Sequence, residues 1–151
     1  MELRRAARLL LFDEAGRVLL FQYADQHGTF WATPGGGLEG LETYEEAALR
    51  EAREELGLAE CSLKYLWERT IELKFRGNLI RQAERFFLAR RSSDEVALGE
   101  NVRDAHALEG ILAARWWSPG EILAATERIF PEDLVLRLET IERHDDDLPT
   151  A

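Results

Sequence analysis

The chain has 151 residues, 46% of them hydrophobic, and a formal net charge of −10 at pH 7; this suits one domain with a proper core. The acidic balance argues against nonspecific binding to nucleic acid or an anionic membrane, both of which attract basic surfaces. A single cysteine, Cys61, excludes an intrachain disulfide and a cysteine-based zinc site; it reads as a small apolar residue in a strand.

Arg8 to Phe12 reads as a strand, Asp13-Glu14-Ala15-Gly16 as a turn and Val18 to Tyr23 as a second strand, which together predict a hairpin. The apolar run before Asp13 is too short for a signal-peptide core, and no run reaches transmembrane length, so a soluble cytoplasmic protein without membrane association is expected. Phe30-Trp31-Ala32 is a short strand leading to Pro34, and Thr33 to Gly37 is a Gly-rich loop whose backbone can approach a ligand closely. A helix is predicted over about Thr43 to Leu56. Thr43 and Glu46 form a capping box, Ala47, Ala48, Leu49, Ala52 and Leu56 favour the helix, and Gly57 is placed for a left-handed stop. Leu63 to Phe75 and Leu79 to Ala89 are strands around a Gly77-Asn78 turn, and Arg90 to Asp104 is a polar loop or flap. Ile111 to Trp117 is a strand. Ser118 and Pro119 open a short helix through Ala124, and Pro131 opens a last helix with Leu134, Leu138 and Ile141 on one stripe. Residues 1–144 are expected to form a single domain, and 145–151 a disordered acidic tail. Strands and helices interleave without regular βαβ spacing, which predicts a mixed β-sheet with helices on both faces, an α/β/α sandwich.

The chemistry concentrates between Gly36 and Leu58. Glu51, Glu54 and Glu55 stand at i, i+3 and i+4, one face of a helix. Three such negative charges repel unless a cation lies between them, and a hard divalent ion such as Mg²⁺ takes carboxylate oxygens together with substrate phosphates. The full pattern is Gly36, five residues, Glu42, seven residues, then Arg50-Glu51-Ala52-Arg53-Glu54-Glu55-Leu56-Gly57-Leu58. It resembles the Nudix box, G-x5-E-x7-R-E-U-x-E-E-x-G-U with U aliphatic. Every fixed letter is met, with Ala52 a small choice at its aliphatic position. The usual glycine before the first box glutamate is Leu41 here, with Gly40 one place earlier.

The resemblance implies the Nudix α/β/α fold and a hydrolase acting on phosphorus anhydrides. Water would attack phosphorus in a nucleoside diphosphate linked to another group X, releasing a nucleoside monophosphate and phosphorylated X. It implies Mg²⁺ or Mn²⁺ held by Glu51, Glu54, Glu55 and the backbone carbonyl of Gly35. Gly36 and Gly37 would meet the substrate, Arg50 would orient a box glutamate, with Glu46 and Glu54 at i±4, and Glu42 would tie loop to helix. The general base is a box glutamate or an acid outside the box, for which Glu84 and Glu109 are the candidates. Arg8, Arg76, Arg81 and Arg85 are candidates for phosphate contact, with Arg81 and Arg85 placed near Glu84 in sequence. Trp31, Trp67, Trp116 and Trp117 are candidates for base stacking, with Trp116 and Trp117 pointing to opposite faces of their strand. The three histidines form no ligand spacing. Family analogy offers a homodimer as an open alternative to a monomer; a small nucleotide-type substrate and no nucleic-acid partner are expected. Two other functions share the fold. An isopentenyl-diphosphate-isomerase-like enzyme needs a catalytic cysteine, for which Cys61 is poorly placed, and a nucleotide sensor without turnover would not need intact box acids.

Overall fold

The computed structural model describes residues 1–91 and 110–144. Glu109, most of the expected flap and the tail from residue 145 lie outside the described residues. The elements are β1 (Leu3–Leu10), β2 (Val18–Asp25), β3 (Gly28–Ala32), β4 (Gly35–Gly37), α1 (Tyr44–Leu56), β5 (Cys61–Phe75), β6 (Asn78–Arg91), β7 (Ala113–Trp117), α2 (Pro119–Ala124), β8 (Arg128–Phe130) and α3 (Leu134–His144). Helices accompany two mixed four-stranded sheets, and the described chain gathers into two compact units.

The first unit holds Met1–Leu10 and the described residues from Pro34 to Arg91. Its sheet has the order β4-β1-β6-β5. β1 runs parallel to β6, Leu3 opposite Arg81 through Leu10 opposite Leu88, while β4 pairs antiparallel with β1 and β5 with β6. The long β5–β6 hairpin follows from its β-branched and aromatic strands and from its turn, where Arg76 (φ 51°) and Gly77 (φ 82°) are both left-handed, as a two-residue hairpin connection requires. A bulge between Tyr65 and Trp67 breaks the register. It lets Tyr65 pack on Phe87 at 5.9 Å and Trp67 stack on Phe86 at 4.8 Å, so neighbouring aromatics serve opposite faces of the sheet.

Against this sheet lies α1. Its capping box forms as the sequence predicts, Thr43 Oγ1 accepting from the Glu46 N–H and Glu46 Oε1 from the Thr43 N–H, and Gly57 closes the helix with φ 66°. Ala47, Ala48, Ala52 and Leu56 are fully buried. The small alanines let the helix approach the sheet closely, and burying Leu56 contributes about 1.5–3 kcal/mol.

The second unit holds Leu11–Thr33 and residues 110–144. Its sheet has the order β7-β2-β3-β8, with β8 parallel to β3 and the other pairs antiparallel. Trp31 and Trp117 are buried and meet edge to face at 5.3 Å, so their place is in a core. Ser118 caps α2 through a capping box with Glu121, and Leu134, Leu138 and Ile141 form the buried stripe of α3.

Two expectations are corrected, and one strand appears for which the sequence gives no reading. β1 and β2 do not form a hairpin. They belong to different sheets, and what remains of the expected pairing is an isolated Phe12–Val18 bridge, because β1 finds β4 and β6 instead. The Gly-rich segment is not all loop: Gly35–Gly37 is an edge strand, since residues without side chains can lie flat against β1. β8 is a strand too short to announce itself in the sequence. No helix among the described residues is long and apolar enough to cross a membrane.

Candidate active site

The site grows from three bare glycines. A Cβ on Gly35 would stand 2.1 Å from the Ala7 carbonyl oxygen, where φ is also +141°. On Gly36 it would meet Glu51 Oε1 at 2.6 Å, and on Gly37 the Arg4 guanidinium at 2.7 Å. Strand alternation therefore presents Gly36 to α1 and Gly37 to the opposite face, and an acid and an arginine close on β4 from either side.

From α1 come the box acids. Glu51 and Glu55 are 4% and 1% exposed, whereas the Glu54 side chain is half exposed. Glu51 Oε1 accepts from Arg50 Nη1 at 2.9 Å; Glu51 Oε2 and Glu55 Oε2 are buried without a hydrogen bond. Glu54 lies 3.4 Å from Arg50 Nη1. Among the described residues no three acidic, histidine or cysteine side chains converge into a ready-made ion cage. The donor chemistry nevertheless fits a hard divalent cation. A buried carboxylate oxygen with no donor is costly to desolvate, and an ion compensates it.

Arg50 organises the loop. Its Nε and Nη2 grip both oxygens of Glu42 at 2.8 and 3.0 Å, and Nη2 also donates to the Gly37 carbonyl at 3.0 Å. Glu42 in turn accepts from the Glu39 N–H at 2.8 Å. Hydrogen bonding to Glu42 raises the Arg50 pKa further, and Arg50 holds the Glu42 carboxyl below the usual range. Of the two partners expected at i±4, Glu54 is within reach, whereas Glu46 is committed to the capping box. The bidentate partner is Glu42, eight residues back, reachable because the loop folds over the helix.

On the face of the sheet where Arg4 lies, Glu84 is 2% exposed and accepts from Arg8 Nε at 2.8 Å, Arg69 Nε at 2.6 Å and Gln82 Nε2 at 3.0 Å. Burial pushes its carboxyl up, but the charges of Arg8 and Arg69 prevail and the pKa is lowered. Gln82, itself buried, accepts from Arg4 Nη1 at 2.6 Å. Arg4 and Gln82 were not singled out from the sequence. The available signal was a polar pair, Gln82 and Glu84, alternating with Ile80 and Phe86 along one buried strand face. Arg81 is exposed on β6, Arg76 stands in the hairpin turn over the Phe75 ring, and Arg85 lies over the Tyr44 ring. Cys61 opens β5, and burial raises its thiol pKa, which keeps it protonated and a poor nucleophile.

A glycine strand facing a helix of buried acids, clamped by one arginine, defines the class, and the NUDIX domain family model matches residues 2–138. The chain belongs to the NUDIX family, as a hydrolase of pyrophosphate bonds; such enzymes act on nucleotide-type substrates and generally use divalent metal ions. An RNA pyrophosphohydrolase of Pseudomonas aeruginosa (strain UCBPP-PA14) is 28% identical over 134 residues, covering 81% of this chain and 83% of the relative. In fold, the chain is similar to the MutT protein from Methanosarcina mazei Go1, with TM-score 0.65, 17% identity and 96% of each chain covered. It is likewise similar to a MutT NUDIX hydrolase from Burkholderia pseudomallei, with TM-score 0.62, 20% identity, and 93% of this chain and 99% of that one covered.

Proposed function

We propose that Glu51, Glu54, Glu55 and the Gly35 carbonyl hold Mg²⁺ or Mn²⁺ for cleavage of a nucleoside diphosphate linked to a group X, with water attacking phosphorus. The observation that carries this is the buried Glu51 carboxylate, one oxygen fixed by Arg50 and the other without a hydrogen bond. When bound, the ion neutralises phosphate charge and acidifies water. The remaining work is positioning. Arg50 fixes Glu51 and ties Glu42 and the Gly37 carbonyl to the helix, and Gly36 and Gly37 offer the substrate a backbone without side chains.

For the general base, Glu54 is the best supported of the acids, being half exposed and only weakly engaged by Arg50. Glu84, saturated by three donors and held ionised by two arginines, is suited to positioning rather than to accepting a proton. The net charge of −10 supports a nucleotide-sized substrate over extended contact with nucleic acid. The relative named an RNA pyrophosphohydrolase supports a second reading, in which X is replaced by the 5′ end of an RNA.

The test is turnover of Glu54→Gln and Glu55→Gln with Mg²⁺ or Mn²⁺. It is run across nucleoside triphosphates, ADP-ribose, nucleotide sugars, dinucleotides and 5′-triphosphorylated RNA. Undiminished hydrolysis in both variants ends the assignment, and the product pattern locates the attacked phosphorus.

A further inference from the structure

The two sheets end in four edge strands. β4 and β8 have three residues each and β7 has five, lengths that give another strand little to pair with. β5 has fifteen, and among the described residues only β6 pairs with it. Beyond the bulge at Tyr65, Trp67 to Phe75 runs nine residues in unbroken register with β6. Glu68, Thr70, Glu72 and Lys74 along this stretch are exposed, and the residues between them are half-buried. Among the described residues, the outer row of backbone N–H and C=O groups on β5 therefore has no strand beside it.

Charge decides what can complete this edge. Charged residues ordinarily keep edges apart, because like charges directly opposite one another repel. Two copies of one strand that pair antiparallel about a two-fold axis bring one residue opposite its own copy. With Thr70 at that centre, Glu68 faces Glu72 of the second copy. With Glu72 or Arg69 there, two like charges meet directly. Ile71 at the centre gives the reverse: Glu68 faces Lys74 twice, Trp67 faces Phe75 twice, and all nine residues from Trp67 to Phe75 take part. Centring on Leu73 also avoids a clash, by pairing Glu72 with Lys74, but it engages only the five residues from Ile71 to the strand end at Phe75. Residues directly opposite share a face. Trp67 and Phe75 then meet on the face where Arg69 holds Glu84, and Glu68 and Lys74 meet on the other.

We propose that β5 is a self-association edge. Two copies of the chain join antiparallel along Trp67 to Phe75, centred on Ile71, and their two four-stranded sheets become one of eight strands. The partner is a second copy of this chain, because the charge order of the edge is complementary to itself. The surface is separate from the α1 carboxylates and does not rest on the diphosphate-hydrolase reading.

The experiment is sedimentation equilibrium of the full chain from about 10 µM to about 1 mM, a range in which a small interface dissociates. Wild type is expected to follow a reversible monomer–dimer equilibrium. Glu68→Lys turns two attractive pairs into two repulsive ones and should weaken dimerisation about tenfold or more. It also makes the net charge less negative, which by itself favours association, so a loss reports the pairing. The swap Glu68→Lys/Lys74→Glu keeps the wild-type net charge with the pairs reversed, and should return to within about threefold of wild type. Glu72→Lys, opposite Thr70, should change the constant by about threefold or less. The proposal is overturned by a monomer throughout, by a dimer indifferent to Glu68→Lys, or by a swap that fails to restore it. A loss with Glu72→Lys as large as with Glu68→Lys overturns it too. The Glu68 side chain is 64% exposed and meets Arg85 at the surface, so melting curves should show the variants folded. Lys74→Glu alone gives the same loss should Glu68→Lys misfold.

Discussion

Replacing Gly36 by alanine isolates the contact on which the site is built. The backbone there is not left-handed, so the substitution is not strained by φ; its effect comes from the new Cβ, 2.6 Å from Glu51 Oε1. An ordinary contact begins near 3.4 Å, so the carboxylate must recede by about 0.8 Å. It is 5% exposed and held by Arg50 at 2.9 Å, and Arg50 itself is 12% exposed. A retreat of that size along the bond takes it out of hydrogen-bond range. A hydrogen bond to a charged group contributes about 1.5–3 kcal/mol, which sets the expected loss in stability. Urea unfolding should show it as a lower midpoint at unchanged slope. The decisive measurement is the double-mutant cycle with Glu51→Ala. Once the carboxylate is gone the new methyl has nothing to strike, so the second substitution should add little, with a coupling of about 0.5–3 kcal/mol. Additive losses would refute the reasoning, because they would mean that the added methyl acts through something other than Glu51. Metal-dependent turnover should fall about tenfold or more, since on the proposed assignment Glu51 holds the ion and its displacement weakens ion affinity.

The capping and core contacts lead to simpler expectations. Thr43→Ala removes the cap of α1 and should cost about 1 kcal/mol in chemical denaturation. Leu56→Ala, at a fully buried position, should cost about 2–5 kcal/mol by the same measurement. Glu84→Gln leaves Arg8 and Arg69 without their shared anion and should cost about 3–5 kcal/mol at neutral pH. Because the folded pKa of Glu84 is lowered from 4.5, its contribution is present above that value and is lost as pH falls through the folded pKa. Stability measured from pH 7 downward should therefore decline in the acid range for wild type and decline less for Glu84→Gln.

What the sequence made legible was local. The helix from Tyr44 to Leu56, its capping box and its glycine stop depend on residues within one or two turns, and they form as read. What it hid was pairing. Gly35–Gly37 looks like loop because strand propensity resides in side chains, and here the strand exists only because Ala6, Ala7 and Arg8 lie beside it. The partner of Arg50 was sought one turn away and found at Glu42, across a loop whose path no periodicity specifies. Arg4 and Gln82 met for the same reason: 78 residues separate them, and only the parallel register of β1 on β6 brings them together.

That register has a bearing on biosynthesis. β1 is an interior strand that is made before both of its neighbours, and one of its flanks waits for β6, 78 positions later. At about 5–20 residues per second, the ribosome leaves that flank unmatched for roughly 4–16 s. During this interval its backbone donors and acceptors are open to unrelated strands, so the nascent chain is exposed to aggregation until β6 arrives, even though α1 already has β1 and β4 to pack on.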